Sequence, residues 1–203
     1  RVEALAQDDI KQGRLTGRVV GYELGQLLTP EAIVLNDGLS NGGFVQSYAR
    51  RTQPGTYFRS GSSSGGWGSG ASFGVKLARP DHDVIHATGD GYFMFGNPLP
   101  ALWAAAHHKA AYMAVVFVNG SYSTGTSGLR TAYPEGYGIS AAHYDGGTFE
   151  PVPNFAKLAE AVNGYGEQVN ELSQLTLALK RGLEYTRNHI PAVIAVRVPG
   201  PLQ

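Results

Sequence analysis

The feature that most constrains the fold is a pair of apolar segments, each of which runs directly into a polar turn. Asp83 to Thr88 and Met113 to Val118 both have the length and composition of buried strands. The first segment continues into Gly89-Asp90-Gly91 and the second into Asn119-Gly120-Ser121-Tyr122, and the residues between them predict a helix that ends near His108. This order predicts a βαβ unit with both turns at the carboxyl edge of a parallel sheet.

The rest of the chain continues the alternation of strands and helices. Further helices are predicted over 15–28, 40–49, 154–163 and 171–188, further strands over 32–35, near 168–169 and over 192–198, and an irregular segment over 124–153. We therefore predict an α/β fold, a parallel sheet with helices on both faces. Residues 1–14 are polar and helix-compatible and are expected to be a linker tail, which leaves 15–203 as the domain.

A Gly/Ser-rich segment at 60–72 allows two interpretations. On composition alone it is typical of a flexible linker. However, Trp67 lies within it, and the apolar residues Phe73, Val75 and Leu77 follow directly. This pattern favours a glycine loop that is held close to a ligand and leads into a packed helix.

Composition limits the kinds of partner. The 16 basic and 16 acidic residues cancel, so the chain lacks the positive field that nucleic acid or an anionic membrane would require. Cysteine is absent, and no apolar run approaches the ~20 residues that a membrane span needs. We expect a cytoplasmic protein whose partners are small molecules or other proteins, with no nucleic acid and no membrane.

Three polar or glycine-rich loops, at 36–43, 89–92 and 119–122, are predicted at the carboxyl ends of strands, where open parallel sheets bind their ligands. A Gly-Asp-Gly sequence is by itself also typical of an ordinary turn. Here its N–H groups would approach a phosphate at a helix N-terminus, where Asp90 also places a carboxylate. A carboxylate beside a phosphate requires a cation, and Mg²⁺ suits oxygen ligands such as Asp90, the Asn119 amide and the Ser121 main-chain carbonyl.

The spacing of 29 positions from Asp90 to Asn119 resembles the thiamine diphosphate motif GDG-x(n)-N, except that Val118 stands where the first of two asparagines is usual. The stretches PGTYFRSGSSSGGWGSGASFGVKLARPDHDVIHATGDG, ALWAAAHHK and VVFVNGSYSTG extend the likeness over nearly the whole chain. The chain resembles the C-terminal, pyrophosphate-binding domain of the benzoylformate decarboxylase and acetolactate synthase group of thiamine diphosphate-dependent enzymes.

The resemblance implies a set of cofactor-binding residues. Asp90, Asn119 and the Ser121 carbonyl would hold Mg²⁺, and the Ser63 carbonyl would meet the aminopyrimidine. The diphosphate would be contacted by Gly91 and Tyr92 together with Ser40 and Asn41 of the first loop. The full set of cofactor-binding candidates is Ser40, Asn41, Ser63, Ser64, Gly65, Gly89, Asp90, Gly91, Tyr92, Asn119, Ser121 and Tyr122.

Two departures from the family pattern concern the reactive part of the cofactor. The family places a bulky Leu, Met or Ile beneath the thiazolium ring, and an ungapped comparison gives Gly65 there; the adjacent Trp67 or a partner residue would have to fill the space. The family's activating glutamate belongs to a separate pyrimidine-binding domain. We expect that glutamate on a partner chain, within a hetero- or homo-oligomer.

The resemblance implies a thiamine diphosphate- and Mg²⁺-dependent decarboxylase or carboligase that acts on 2-oxo acids, with this chain as the pyrophosphate-binding part of a split or cleaved enzyme. The alternative is a non-catalytic cofactor-binding subunit with a structural or regulatory role. Another nucleotide-binding α/β domain is disfavoured, because no G-x-G-x-x-G follows a strand and no G-x-x-x-x-G-K-[ST] occurs.

Two further side chains are candidates for contact with substrate. Arg59 would bind a substrate carboxylate if it forms part of the active-site wall, and is otherwise a surface arginine. His143 belongs to the irregular segment that borders the substrate in relatives, and is otherwise structural. His86 is predicted to be a core histidine, and Trp67 and Trp103 are predicted to pack in the core.

Overall fold

The computed structural model describes residues 2–61, 64–144 and 146–200, and the elements below are those of this part of the chain. The strands are β1 (Ile33–Asp37), β2 (Tyr57–Arg59), β3 (Val84–Gly89), β4 (Met113–Val118), β5 (Tyr165–Val169) and β6 (Ala192–Arg197). The helices are α1 (Val2–Lys11), α2 (Gly17–Leu27), α3 (Gly42–Ala49), α4 (Gly68–Ala78), α5 (Asp90–Phe95), α6 (Leu99–His107), α7 (Ser123–Ala132), α8 (Tyr137–Ser140), α9 (Lys157–Glu160) and α10 (Leu172–Arg187). None of these helices has the length and apolar character needed to cross a membrane.

All strand pairs are parallel, in the order β2-β1-β3-β4-β6-β5. The predicted α/β fold with a parallel sheet is therefore confirmed. β3 and β4 are neighbours, and the register places Gly89 opposite Phe117. Because both strands run in the same direction, the turns that follow them lie side by side at one edge of the sheet.

The sheet separates two apolar cores. On one face, β-strand side chains pack with Leu24 of α2 and Leu179 of α10. On the other face they pack with Phe93 of α5, Leu102 of α6 and Phe155 before α9. All six residues of β4 are buried, as expected for a strand with a neighbour on each side and helices above and below.

Several boundaries differ from the sequence prediction. The single helix predicted before His108 is two helices, α5 and α6, because Gly96 packs against the backbone of Gly66 and Pro98 then starts a new helix. The segment 124–153, predicted to be irregular, contains most of α7 and all of α8. The helix predicted over 154–163 has only the four residues of α9, and the three-residue strand β2 was too short to predict.

The start of the chain is helical and packed against the domain. Helix α1 buries Ala6 and Asp9, and the Asp9 carboxylate accepts hydrogen bonds from Arg14, Thr16 and Arg18 at the beginning of α2. The two arginines and the threonine hydroxyl hold the pKa of Asp9 below its ordinary value, although burial raises it. The division into a linker tail, 1–14, and a domain, 15–203, stays a prediction.

The described part of the Gly/Ser segment is packed, so the flexible-linker interpretation is wrong for residues 64–72. One carboxylate oxygen of Asp37, Oδ2, accepts the N–H groups of Gly66 at 2.9 Å and Gly68 at 3.1 Å, where α4 begins. Trp67 packs against the second core, as predicted. Trp103 does not, because it is 57% exposed on the outer face of α6 and stacks on His107.

Gly68 is the position where this packing is tightest. A Cβ on Gly68 would lie 2.2 Å from Nε2 of His86 and 2.9 Å from Cβ of Asp37, whereas a Cβ on Gly74 in the same helix would meet nothing within 4 Å. We therefore expect Gly68→Ala to lower the free energy of unfolding by about 1–3 kcal/mol through overpacking. Gly74→Ala, the matched control, should raise it by about 0.5–1 kcal/mol through its higher helix propensity. Urea unfolding of the native protein measures both, and a neutral Gly68→Ala would contradict the packing described.

Candidate functional site

A cavity of about 390 Å³ lies at the carboxyl edge of the sheet. Three segments form it: the loop after β1, the turn between β3 and α5, and the turn after β4 with the start of α7. Its lining residues are Leu39, Ser40, Asn41, Gly89, Asp90, Gly91, Tyr92, Asn119, Ser121, Tyr122, Ser123, Thr124 and Gly125. Nine of the predicted cofactor-binding positions are thus brought together, and among the described lining residues Asp90 alone has a charged side chain.

Asp90 lines this cavity and is buried, with 1% of its surface exposed. Its Oδ1 accepts the N–H of Gly91 at 2.9 Å, and its Oδ2 accepts the N–H of Gly120 at 2.6 Å. Burial raises the pKa of the Asp90 carboxyl, and the hydrogen bonds from Gly120 and Gly91 oppose this without cancelling it. The two hydrogen bonds orient the carboxylate, while its negative charge has no partnering basic side chain among the described residues.

The turn after β4 presents oxygen atoms beside this carboxylate. The Asn119 side-chain oxygen accepts hydrogen bonds from the N–H of Ser121 at 3.0 Å and from its hydroxyl at 3.1 Å. A short antiparallel bridge joins Ser121 to Thr148, and its two hydrogen bonds use the Gly120 carbonyl and the Tyr122 N–H. The Ser121 carbonyl therefore lies outside the bridge.

Aromatic packing fixes the two turns against each other. The ring of Tyr122 lies over Gly91, where a Cβ would come within 2.7 Å of two ring carbons. Phe149 meets the same ring edge-on, with centroids 4.9 Å apart. The second glycine of the Gly-Asp-Gly turn is required by this contact, because any side chain there would push Tyr122 and its turn away from Asp90.

The first loop completes the rim of the cavity. The buried Asn36 side chain accepts the N–H of Gly38 and donates to the Gly42 carbonyl, which fixes the curve of the loop. The hydroxyl of Ser40 lies 3.3 Å from that of Thr124 in α7, so the loop and α7 meet across the cavity mouth. Asn41 packs against Gly17, where a Cβ would lie 2.1 Å from its amide oxygen.

Two predicted residues of the Gly/Ser segment, Ser64 and Gly65, lie beside the cavity and do not line it. Ser64 lines a separate pocket of about 20 Å³, together with Arg59, Trp67 and Tyr92. Gly65 lies directly against the Tyr92 ring. Ser63 lies outside the described residues.

The two candidate substrate-contacting residues are not brought to the cavity. Arg59 is exposed at the end of β2, where its guanidinium lies 3.4 Å from the side-chain oxygen of Gln46. His143 is exposed after α8, and its N–H donates to the Gly138 carbonyl at 3.0 Å. Neither residue is among the described lining residues of the cavity, and Arg59 instead lines the small pocket that also contains Tyr92.

Asp37 is a site residue that the sequence analysis missed. It is buried, it positions the Gly/Ser loop through Gly66 and Gly68, and its Oδ2 lies 3.5 Å from Nε2 of His86. The available signal was Asp37-Gly38 at the end of a buried strand, the same type of signal as Asp90-Gly91. His86 is fully buried, as predicted.

The donors in the cavity fit a magnesium ion that is shared with a ligand. The described residues contain no group of three or more His, Cys, Asp or Glu side chains that would enclose a metal by themselves. The cavity instead offers the Asp90 carboxylate, the Asn119 amide oxygen and the Ser121 main-chain carbonyl. Mg²⁺ prefers such oxygen ligands and commonly takes the rest of its coordination sphere from water and phosphates.

Comparison with known proteins gives a family match for most of the chain. Residues 40–196 match the family model described as thiamine pyrophosphate enzyme, C-terminal TPP binding domain. Thiamine pyrophosphate is another name for thiamine diphosphate. The matched region contains every lining residue of the cavity except Leu39.

Individual relatives agree with this match. The chain is 28% identical over 202 residues to the acetolactate synthase large subunit of Mycobacterium tuberculosis, covering 96% of this chain and 34% of the relative. It is 28% identical over 160 residues to the benzoylformate decarboxylase of Pseudomonas aeruginosa, covering 70% of this chain and 29% of that protein. The crystal structure of benzoylformate decarboxylase from Polynucleobacter necessarius has the same fold, with a TM-score of 0.75 at 19% identity, over 92% of this chain and 33% of that chain. This chain spans about a third of the length of these proteins.

The raised pKa of Asp90 predicts a pH dependence of stability with a definite sign. A carboxyl whose pKa is higher in the folded than in the unfolded state takes up a proton on folding, so acidification stabilises the fold. Relative to the Asp90→Asn variant, the ligand-free wild type should gain free energy of unfolding as the pH falls toward 3.8, the ordinary value of this carboxyl. Urea unfolding of both proteins over a pH series measures the difference. A difference that is constant, or that shrinks on acidification, would contradict the described environment of Asp90.

Proposed function

Since the chain belongs to the family of thiamine pyrophosphate enzymes, as their C-terminal TPP-binding domain, we propose that its cavity binds the diphosphate of thiamine diphosphate together with Mg²⁺. The observation that carries the proposal is the buried carboxylate of Asp90 in a cavity whose described lining residues include no basic side chain. A diphosphate would be repelled there, and a divalent cation between the two removes the repulsion.

Asp90, the Asn119 amide oxygen and the Ser121 carbonyl hold the metal in this proposal. Asn119 would exchange its hydrogen bonds from Ser121 for the metal, and the Gly120 N–H keeps the Asp90 carboxylate oriented. The hydroxyls of Ser40 and Thr124, which meet at the cavity mouth, are placed to donate to phosphate oxygens. These residues bind and orient the cofactor.

The proposed activity is that of a decarboxylase or carboligase, a lyase or transferase that acts on 2-oxo acids. When bound, thiamine diphosphate supplies the electron sink that allows a 2-oxo acid to lose CO₂. The proposal draws on the similarity to an acetolactate synthase and a benzoylformate decarboxylase. Those proteins are about three times as long, so we propose that a pyrimidine-binding domain or subunit completes the site in a cytoplasmic oligomer.

A non-catalytic, cofactor-binding subunit is the second candidate. The observation in its favour is that the described residues lining the cavity include no carboxylate besides Asp90, so none of them offers a second acid to activate the cofactor. In the leading proposal the partner domain supplies a glutamate for that purpose. Turnover of 2-oxo acids by the native assembly separates the two, because only the catalytic form releases CO₂ or an acyloin.

Asp90→Ala should abolish Mg²⁺-dependent binding of thiamine diphosphate by the native assembly. Loss of a hydrogen-bond partner behind a metal ligand commonly costs about 10–100-fold in metal affinity, so loss of the ligand itself should cost more than about 100-fold. Calorimetric titration of the cofactor, with and without Mg²⁺, measures the effect.

Asp81→Ala is the matched control for this experiment. Asp81 is an exposed aspartate before the opposite end of β3, far along the strand from Asp90. Its removal should leave the affinity unchanged. The proposal would be contradicted if the Asp90→Ala variant bound thiamine diphosphate as tightly as the wild type, or if the wild type bound it without Mg²⁺.

A further inference from the structure

The ring of Tyr92 occupies the space in which residue 65 would carry its side chain. A Cβ built on Gly65 would lie 2.0 Å from both Cγ and Cδ2 of Tyr92 and 2.3 Å from Cδ1. These atoms belong to the root of the ring, so the ring cannot avoid a side chain at 65 by a small shift of its far end. Gly65 therefore lies flat against the ring, and the two positions share one volume.

The surrounding contacts prevent the loop from moving away from this ring. Gly66 follows with a φ of +91°, and its Cα packs on Gly96, where a Cβ would come within 2.5 Å of the Gly66 Cα. The N–H of Gly66 is held by Asp37 at the end of β1. The loop is thus clamped on α5 at one side and on β1 at the other, with the Tyr92 ring beneath it.

Tyr92 also separates two spaces. It lines the 390 Å³ cavity that contains Asp90, and it lines the 20 Å³ pocket that contains Asp37, Ser64 and Trp67. The half-buried ring is therefore a wall of the large cavity at the side that faces the Gly/Ser loop. Because Tyr92 and Asp90 line the same cavity, a ligand whose diphosphate is bound at Asp90 has this ring within its binding space.

We infer that Tyr92 is a positioning residue whose ring is the apolar wall for the non-phosphate part of the cofactor, and that Gly65 is glycine in order to admit that ring. The inference rests on the proposed function and deepens it. In this arrangement the Tyr92 ring of α5 fills the space that a side chain at position 65 would otherwise fill. Because Tyr92 directly follows the Gly-Asp-Gly turn, the turn that binds the diphosphate also fixes where this ring lies.

The polar atoms in the small pocket indicate that the Tyr92 ring closes this pocket off from the large cavity. The Asp37 Oδ1 and the Trp67 indole N–H are buried without a hydrogen-bond partner in the described structure. Removal of the ring would join their pocket to the large cavity and admit water to these polar groups. The cofactor would then lose an apolar contact and face a wet, polar recess.

The test compares two probes, thiamine diphosphate and inorganic pyrophosphate, each titrated with Mg²⁺ into the native assembly. The affinity for pyrophosphate depends only on the metal and diphosphate contacts, whereas the affinity for the whole cofactor also depends on its contact with the Tyr92 ring. Tyr92→Ala removes the ring but keeps the main-chain N–H through which residue 92 would contact the diphosphate. It should therefore weaken thiamine diphosphate binding by about 10–100-fold, the value of one large apolar contact, and change pyrophosphate affinity by less than about 3-fold. Tyr92→Phe keeps the ring, and both affinities should stay within about 3-fold of the wild type.

A size exchange tests the pairing with Gly65 directly. Gly65→Leu alone should weaken cofactor binding, because the new side chain and the ring compete for one volume. The backbone of Gly65 is outside the left-handed region, so a leucine is compatible with it once the ring is removed. The double variant Gly65→Leu/Tyr92→Ala should therefore bind thiamine diphosphate at least about 5-fold more tightly than Tyr92→Ala alone.

The outcomes separate this inference from the proposed function. The role of the Tyr92 ring would be contradicted if Tyr92→Ala lowered the affinity for both probes equally, or if the effects of the two substitutions were additive. The proposed metal and diphosphate site would be unaffected by either result. A wild-type protein that binds neither probe would overturn the proposed function, and the wall with it. Thermal unfolding of each variant shows whether a loss of binding is a loss of folded protein.

Discussion

A buried carboxylate with no cationic partner in the described part of the chain is the constraint on which the rest of the site depends. Asp90 is held by the N–H groups of Gly91 and Gly120, which come from the ends of two neighbouring strands. Such a group is costly to bury, and burial raises its pKa. The parallel sheet brings β3 and β4 side by side, the aromatic contact of Tyr122 with Gly91 locks their turns, and the cost is offset if a metal and a diphosphate complete the site.

Four glycines near the cavity are required by close packing between the loops at the carboxyl edge of the sheet and their neighbours. At Gly65, Gly66, Gly68 and Gly91, a Cβ would collide with a ring, a histidine or another backbone. Each contact presses a loop at the carboxyl edge onto a neighbouring element, and together they shape the cavity from backbone and aromatic rings instead of from long side chains. Gly70 and Gly74, which point to open space, show that the requirement is local and not a property of the whole segment.

The sequence predicted the sheet well because its strands are short apolar runs that end in glycine-containing turns, and β4 has the predicted bounds. It predicted nine of the cavity residues, seven because the two turns carry the family motif and two, Ser40 and Asn41, from the first loop. The sequence-based predictions failed for features that depend on contacts between residues far apart in the chain. The break between α5 and α6 depends on the contact of Gly96 with Gly66, the role of Asp37 depends on a loop 29 residues away, and the exposure of Trp103 depends on which face of α6 meets the sheet.

The chain spans about a third of the length of the relatives named above, and in the proposed function it holds the diphosphate end of the cofactor. The most direct measurement is a crystal structure of the native assembly grown with thiamine diphosphate and Mg²⁺. The account predicts a metal about 2.0–2.1 Å from a carboxylate oxygen of Asp90, the amide oxygen of Asn119 and the Ser121 carbonyl, bridged to the diphosphate. A diphosphate bound elsewhere on the chain, or bound in this cavity with no metal at Asp90, would contradict it.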